Sequence, residues 1–340
     1  SAMKRCLTIV AAASAATGAS AHHSDAGIDM DSIVAFEGVV TEFHYRNPHV
    51  YVLVDVENEA GETVEWDFQM GPVSVISRRG WERGSLVPGD RVIIRGHPSR
   101  DGRPYAILES IDKEGGLLLG TAPEPPDIVP PATSIEGKWL ADRGATMDYP
   151  GGFDGFFLAQ LELTDAGRAA MEAYDPLSAE NPESTCVGRP TPAALVSSSL
   201  YLMEIGVDEG AEIITIRSEY FDEERTIYMD GRDHPDPGER FVTGHSIGRW
   251  DGDTLIVDTR NFADHRSPYQ IGVPSGAQKH VVETYRLSDD GTDIELTFML
   301  EDPEYIAEPM NHSRLLHHSP HLEMYLGGCD PDATSRFVAP

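Results

Sequence analysis

A cluster of polar residues in the second half of the chain has the side-chain types needed for acid–base chemistry. Asp230, Arg232 and His234 follow a strand-like segment, and His245 and Asp251 follow in a second, Gly-bounded segment. An imidazole paired with a carboxylate can act as a general base, and a guanidinium can stabilise a developing oxyanion. We therefore predict that His234 or His245 carries the proton. Asp230 or Asp251 would orient the imidazole, and Arg232 would stabilise negative charge.

The same residues also fit a purely structural role. Asp-Gly pairs commonly form turns, and Arg232 can simply pair with Asp233 or Asp251. The sequence has no Walker lysine loop and no Gly-x-Gly-x-x-Gly after a strand, so no nucleotide site is indicated. Metal-free acid–base chemistry, ligand binding and metal binding therefore remain open.

The first 21 residues have the pattern of a cloning scar followed by a secretory signal. Lys4 and Arg5 form a basic start, a short apolar stretch follows, and Ala19-Ser-Ala21 fits the small-x-small rule for cleavage. The apolar stretch is shorter than the ~20 residues of a membrane-spanning helix, so no membrane insertion is expected. The sequence therefore predicts a periplasmic or secreted protein.

The position of this cleavage creates a second candidate site. Cleavage after Ala21 gives His22 a free α-amine beside its imidazole, and this pair can chelate Cu(II). His49 or His44 would supply a further nitrogen ligand. A periplasmic copper-binding protein is thus an alternative function, and copper is the only cofactor that the sequence suggests. Against this, many exported proteins begin with arbitrary polar residues.

A third group of candidate residues lies near the C terminus. His317 and His321 would share one face of a helix and could there bridge a metal, but Pro320 breaks such a helix. We therefore expect an exposed loop rich in histidine, which includes His312 and His318.

Two cysteines remain after the signal is removed, Cys186 and Cys329. In an oxidising compartment such a pair is expected to form a disulfide. Closing so long a loop would stabilise the fold by roughly 4–5 kcal/mol in the chain-entropy model. The alternative is a pair of free buried thiols.

The composition limits the classes of partner. The formal net charge is −31, and removal of Lys4 and Arg5 makes it more negative by two. Phosphate binding needs clusters of Lys and Arg, so nucleic acid and anionic membranes are excluded as partners. A hydrophobic content of 40% is enough for packed cores.

Alternating apolar and polar residues predict a mainly β protein with two domains. Residues 22–118 contain five strand patterns, with a helical stretch near 71–79 after the third, which is the order of an OB-like small barrel. Residues 119–134 form a Pro-rich linker. Residues 135–340 show successive strands with short turns and few helices, the clearest at 164–174. They predict an antiparallel, lipocalin-like β-barrel or half-barrel that could enclose an apolar ligand.

Short motifs in both halves of the chain also point to a group of related proteins. They are His22-His-Ser24, Asn47-Pro-His49, Met229-Asp-Gly-Arg-Asp-His-Pro235, Gly244-His-Ser-Ile-Gly-Arg-Trp-Asp-Gly-Asp-Thr-Leu255 and Glu301-Asp-Pro303. Together they resemble exported bacterial two-domain proteins of unknown function. Asp25 departs from the pattern, which has an aromatic residue after His-His-Ser. The resemblance implies the architecture and export, but no activity.

The leading hypothesis is an exported protein that binds a small apolar molecule in its C-terminal β-barrel. It would catalyse acid–base chemistry on that molecule, of the isomerase, hydratase, lyase or cyclase type. The alternatives are the copper-binding protein and a non-catalytic module that docks another protein. The sequence specifies neither the substrate nor the oligomeric state.

Overall fold

The computed structural model describes residues 27–113, 116–117 and 128–338, and it is mainly β with two closed barrels. The predicted fold class, a small barrel followed by a larger one with few helices, is confirmed. The predicted signal, His22 and residues 119–127 of the predicted linker lie outside the described residues.

The N-terminal barrel has five main strands and the connectivity of an OB-fold. β1 pairs with β2 and β4, β2 with β3, and β4 with β5, while a parallel pairing of β3 with β5 closes the barrel. A short helix, α1 (Val73–Ser77), lies between β3 and β4. The strands are β1 (Val34–His44), β2 (Tyr51–Glu57), β3 (Thr63–Gln69), β4 (Arg91–Pro98) and β5 (Tyr105–Lys113), with a short β6 (Gly116–Leu117).

The C-terminal barrel has nine strands, which follow one another in space as β10 to β15 and then β7, β8 and β9. Neighbouring strands are antiparallel except β10 and β11, which are parallel. The strands are β7 (Gly137–Leu140), β8 (Met203–Asp208), β9 (Ile213–Ser218), β10 (Glu224–Tyr228), β11 (His245–Asp251), β12 (Thr254–Arg260), β13 (His280–Leu287), β14 (Asp293–Glu301) and β15 (Met310–His318).

The parallel pair explains the long connection between β10 and β11. Parallel neighbours require a crossover rather than a hairpin, and residues 229–244 provide it. This crossover carries Asp230, Arg232 and His234. Two of the short turns predicted for this domain contain Gly252 and Gly291, which have φ of +63° and +71°.

Short helices fill the connections. Thr164 caps α4 by accepting a hydrogen bond from the Gly167 N–H, as its sequence predicts. The α-helices are α2 (Gly144–Met147), α3 (Gly152–Leu158), α4 (Asp165–Glu172), α5 (Ala193–Val196) and α6 (Pro331–Thr334). The 3₁₀ turns are Pro182–Thr185, Ser197–Ser199, Tyr220–Asp222 and Ser335–Phe337. No helix among the residues described here is long and apolar enough to cross a bilayer.

The inward-facing side chains of the nine-stranded barrel form one continuous core. Val257, Val281, Leu296 and Leu316 are fully buried in it. Packed interiors leave few voids larger than a water molecule. The two cavities considered below border this core, one at Ile306 and the other at Phe153 and Val196.

The predicted disulfide is confirmed. The Sγ atoms of Cys186 and Cys329 lie 2.08 Å apart and close a loop of 143 residues. The bond fixes the C-terminal segment, which runs onto the small barrel, where Cys329 forms a β-bridge with Asn47. An ion pair of 2.6 Å between Arg336 and Asp67 adds a second contact.

The late histidines differ from the predicted loop, because three of them lie on a strand. His312, His317 and His318 belong to β15, and His321 follows it. His312 points toward Phe156 and Phe298, whereas His317 lies on the outer face with Asp293. Pro320 does break the structure here, but it ends a strand rather than interrupting a helix.

Candidate acid–base site

One rim of the larger barrel gathers ionisable side chains from four neighbouring strands. His245 begins β11 and is paired in register with Arg260 at the end of β12. His280 begins β13 and is paired with Glu301 at the end of β14. Since antiparallel strands alternate in direction, these starts and ends meet at the same rim, and the side chains share the outer face.

The crossover places His234 over this rim and completes a continuous series of hydrogen bonds. His245 Nδ1 lies 3.0 Å from His234 Nδ1, and His234 Nε2 lies 2.9 Å from Asp258 Oδ1. The other Asp258 oxygen lies 3.0 Å from His280 Nε2, and His280 Nδ1 lies 3.3 Å from Glu301 Oε2. We call these five residues the His–Asp chain.

The central carboxylate fixes the protonation of its neighbours. Partial burial would raise the pKa of Asp258, but hydrogen bonds with His280 and His234 outweigh it and lower this pKa to about 2. The ionised Asp258 therefore accepts an N–H from each imidazole. The hydrogen bond with Asp258 is also the main reason that the pKa of His280 is raised.

The hydrogen bonds of His234 also determine which nitrogen of His245 carries the proton. When neutral His234 donates from Nε2 to Asp258, its Nδ1 is an acceptor. His245 must then donate from Nδ1, which leaves a lone pair on its Nε2. Burial, and secondly the neighbouring His234, lower the pKa of His245, so the neutral ring is favoured. The arrangement makes His245 Nε2 a proton acceptor at one end of the chain.

The structure brings together only two of the five residues predicted to act in catalysis. His234 and His245 are in contact, but Asp230 and Arg232 form an ion pair with each other at 2.6 Å. Asp251 lies at the far end of β11 from His245. The carboxylate that contacts His234 is Asp258 and not the predicted Asp230 or Asp251. The seven residues of β11 place its two ends about 20 Å apart. His245 and Asp251 are therefore close in sequence but far apart in space.

Arg232 still lies close to the chain through an aromatic ring. Its guanidinium lies 3.8 Å from the centroid of the Tyr228 ring, and this ring stacks on His245 at 5.2 Å. Arg232 forms an ion pair with Asp230. The guanidinium in direct contact with the His–Asp chain is that of Arg260, whose Nε lies 3.3 Å from Asp258 Oδ1.

A cleft of about 580 Å³ opens beside the other end of the chain. His280, Glu301 and Arg260 form its polar wall, and prolines, alanines and Ile306 form much of the remainder. The full lining is Pro237, Arg260, Asn261, Ala277, Gln278, Lys279, His280, Glu301, Asp302, Pro303, Ile306, Ala307 and Pro309. We call this the rim cleft, and its mixed lining suits a small molecule with both apolar and polar parts.

Two buried charges next to this cleft were missed by the sequence reasoning. Lys279 and Asp302 are 2% and 1% exposed. Burial lowers the pKa of Lys279 to about 7 and raises the pKa of Asp302. The Lys279 ammonium lies 4.4 Å from the centroid of the Phe262 ring. The sequence did carry a signal for these two residues, because Lys279 precedes His280 at the start of β13 and Asp302 follows Glu301 at the end of β14. Neighbouring residues of a strand face opposite sides, so one member of each pair is expected to face inward.

Ser246 lies in Gly244-His-Ser-Ile-Gly248, which has the spacing of a nucleophile elbow. Such an elbow requires a sharp turn between a strand and a helix, which exposes the serine. Ser246 instead lies within β11, is 1% exposed and hydrogen bonds with Thr259 at 2.9 Å. The geometry therefore does not support a serine nucleophile.

The residues predicted to bind copper are only partly described. His22 lies outside the described residues. His44 pairs with Glu42 at 2.7 Å, while His49 lines a cavity between the barrels. Within the described ranges, no group of three or more His, Cys, Asp or Glu residues is placed to hold a metal ion. The copper site remains a prediction.

Comparison with known proteins adds one match. Residues 10–107 match a family model described as a family of unknown function (DUF6152), which covers most of the small barrel and less than a third of the chain. No curated protein matches the sequence.

Proposed function

We propose that the protein is an acid–base enzyme that binds a small molecule in the rim cleft and moves a proton between that molecule, Glu301 and His280, the end of the His–Asp chain that faces the cleft. The reaction would be of the isomerase, hydratase, lyase or cyclase type. The observation that carries this proposal is the unbroken series of contacts, each 2.9–3.3 Å, from Glu301 in the cleft to His245.

Each residue of the chain has a distinct role in this scheme. Glu301 is 43% exposed in the cleft, so its carboxylate can take a proton from the substrate. His280 lies behind it and can accept that proton on Nδ1. Asp258 remains ionised and holds both neighbouring imidazoles in position by accepting an N–H from each. His234 and His245 therefore position Asp258, and the proton returns to the substrate or exchanges with solvent at the exposed Glu301 carboxylate.

Arg260 defines the side of the cleft where negative charge would develop. Its guanidinium is half exposed and lies beside both Asp258 and His280. A carbonyl oxygen that becomes an enolate during proton removal would be stabilised by such a cation. The apolar body of the substrate would contact Ile306 and the prolines of the lining. The proposed substrate class is therefore a mainly apolar carbonyl compound with an acidic C–H.

Deuterium exchange tests this proposal without knowledge of the natural substrate. A panel of small apolar ketones, enones and lactones is incubated with the protein in D₂O, and loss of α-proton signals is followed by NMR. We expect faster exchange for at least one compound, and a loss of about 10²-fold or more in Glu301→Gln. Glu295→Gln is the matched control, because Glu295 lies on the outer face of the same strand and pairs with Arg286.

The proposal fails if no compound in the panel exchanges faster with the wild-type protein than with Glu301→Gln. It also fails if Glu295→Gln reduces exchange as much as Glu301→Gln.

We also propose that the protein acts in the periplasm or outside the cell. The basic and apolar N-terminal pattern supports export, and the Cys186–Cys329 bond fits an oxidising compartment. Mass spectrometry of the natural protein from its host should find a chain that starts at His22. A cytoplasmic protein that retains residues 4–21 would contradict this.

A further inference from the structure

A second cavity, of about 150 Å³, lies between the two barrels. We call it the inter-barrel cavity, and it shares no lining residue with the rim cleft. Its walls are mostly apolar, and they include Pro48 and Pro72 from the small barrel with Met147, Phe153 and Leu200 from the larger one. Glu183 and Arg189, which also line it, neutralise each other as an ion pair at 2.8 Å. A cavity of about this volume can hold a benzene-sized molecule.

A buried cation lies directly behind one wall of this cavity. Arg314 on β15 is 6% exposed. Its guanidinium donates hydrogen bonds to the Val196 carbonyl at 2.9 Å and to the hydroxyls of Ser199 and Thr146, each at 3.2 Å. All three partners belong to residues that line the cavity.

Arg314 has no acidic partner, unlike the other buried arginines in the described ranges. Arg225 makes two hydrogen bonds to Glu283, at 2.6 and 2.7 Å. Arg189 lies 2.8 Å from Glu183, and the charge of Asp154 also helps to raise its pKa. Among the residues described, no carboxylate lies within ion-pair distance of Arg314.

An uncompensated buried charge is costly, and a ligand of opposite charge removes that cost. Burial lowers the pKa of Arg314 to about 10, so the group still carries its proton at neutral pH. The Ser199 and Thr146 oxygens accept from Arg314. Thr146 also donates to the Val196 carbonyl at 3.2 Å and is hydrogen bonded to Ser199 at 2.8 Å, so both hydroxyls would turn toward an anion that enters. Hydroxyls polarised by a cation are good donors to such an anion.

We infer that the inter-barrel cavity binds a small organic carboxylate whose apolar body is about the size of one ring. The carboxylate would accept hydrogen bonds from Ser199 and Thr146, and Arg314 behind them would supply the compensating charge. The body would pack against Phe153, Met147 and Leu200. This site is separate from the rim cleft, so the inference does not depend on the proposed reaction.

Calorimetric titration of the processed protein with benzoate and with benzamide tests this inference. The two probes have nearly the same size, but only benzoate is charged. We expect benzoate to bind at least about tenfold more tightly than benzamide. We expect Arg314→Met to lose this preference without loss of thermal stability, because the variant removes an unpaired buried charge. Arg286→Met, which alters an exposed arginine of the same barrel, should bind benzoate as the wild-type protein does.

Thr146→Val is a second variant that keeps the cation and removes one hydroxyl. It should weaken benzoate binding several-fold and leave benzamide binding unchanged, even if Arg314→Met does not fold. The inference is overturned if wild-type protein binds neither probe, if both bind equally, or if Arg314→Met or Thr146→Val binds benzoate with wild-type affinity.

Discussion

The two ends of the nine-stranded barrel each carry a histidine paired with carboxylates on the outer face. At one end His280 lies 3.0 Å from Asp258 and 3.3 Å from Glu301. At the other end His317 lies 2.6 Å from Asp293 and 3.3 Å from Asp142. The pKa of both imidazoles is raised, by Asp258 for His280 and, against the opposing effect of burial, by Asp293 and Asp142 for His317.

What separates the two ends is their surroundings. Asp258 bridges to a second and a third histidine, and His280 borders the rim cleft. His317 and Asp293 form a local pair on the outer face of β14 and β15, and neither lines the cavities described above. A perturbed pKa is common to structural and functional ion pairs. Contact with further histidines and with a cleft therefore distinguishes a functional pair from a structural one better than the pKa does.

The largest expected difference between the two ends is in catalysis. Asp258→Asn should slow the deuterium exchange described above by about 10²-fold or more, because the amide cannot hold both imidazoles in the required tautomers. Asp293→Asn should leave the exchange rate within about twofold, since it alters a pair outside the cleft. Equal losses in the two variants would remove the distinction between the two ends.

A smaller effect is expected on the pKa of each histidine. Asp258→Asn should lower the pKa of His280, and Asp293→Asn should lower that of His317, because each substitution removes a carboxylate that favours the charged imidazole. Neither substitution should move the pKa of the histidine at the opposite end. Proton NMR titration of the imidazole C–H signals measures the pKa values of both His280 and His317. If the pKa of His280 is unchanged in Asp258→Asn, His280 and Asp258 are not electrostatically coupled.

Stability should depend on pH in a direction set by these shifts. A raised pKa in His280 stabilises the folded state below the unfolded value of about 6.5, and this contribution is lost as the pH rises through the folded pKa. The lowered pKa of Asp258 adds stability that is lost as the pH falls from about 4 toward 2. The wild-type advantage over Asp258→Asn should therefore be greatest between about pH 4 and 6.5. Urea unfolding at pH 5.5 and pH 8.5 compares the two conditions, and a larger advantage at pH 8.5 would contradict the assignment.

The smallest effect is expected for the isolated pair. Because His317 is 41% exposed, solvent screens its interaction with Asp293. Asp293→Asn should change the free energy of unfolding by about 0.5 kcal/mol, which is typical of exposed ion pairs. A loss of more than about 2 kcal/mol in urea unfolding would mean that this end is the more strongly coupled one.

The sequence predicted the architecture better than the site. Alternating runs such as residues 50–56 and 254–259 identified strands, and Asp-Gly pairs marked turns such as those at Gly252 and Gly291, because these signals are local. β15 was missed, since its inward face alternates apolar residues with the polar His312 and Arg314.

Asp258 shows why the site could not be completed from sequence. His234 and His245 stood out because they lie near each other in Gly-rich segments, and Asp251 was chosen for the same reason. Asp258 lies in the middle of a regular strand and meets His234 only through the crossover and the register of β11 with β12. Such contacts depend on tertiary pairing, which local spacing does not encode.

The tautomer of His245 tests the central claim most directly. Long-range ¹H–¹⁵N NMR at neutral pH distinguishes a protonated from an unprotonated ring nitrogen. We expect His245 to carry its proton on Nδ1 and a lone pair on Nε2, and we expect this preference to be lost in Asp258→Asn and in His234→Ala. A proton on Nε2 in the wild-type protein, or the same tautomer in all three proteins, would contradict the ordered hydrogen bonds by which His245 donates to His234 and His234 donates to the ionised Asp258 that positions His280 behind Glu301.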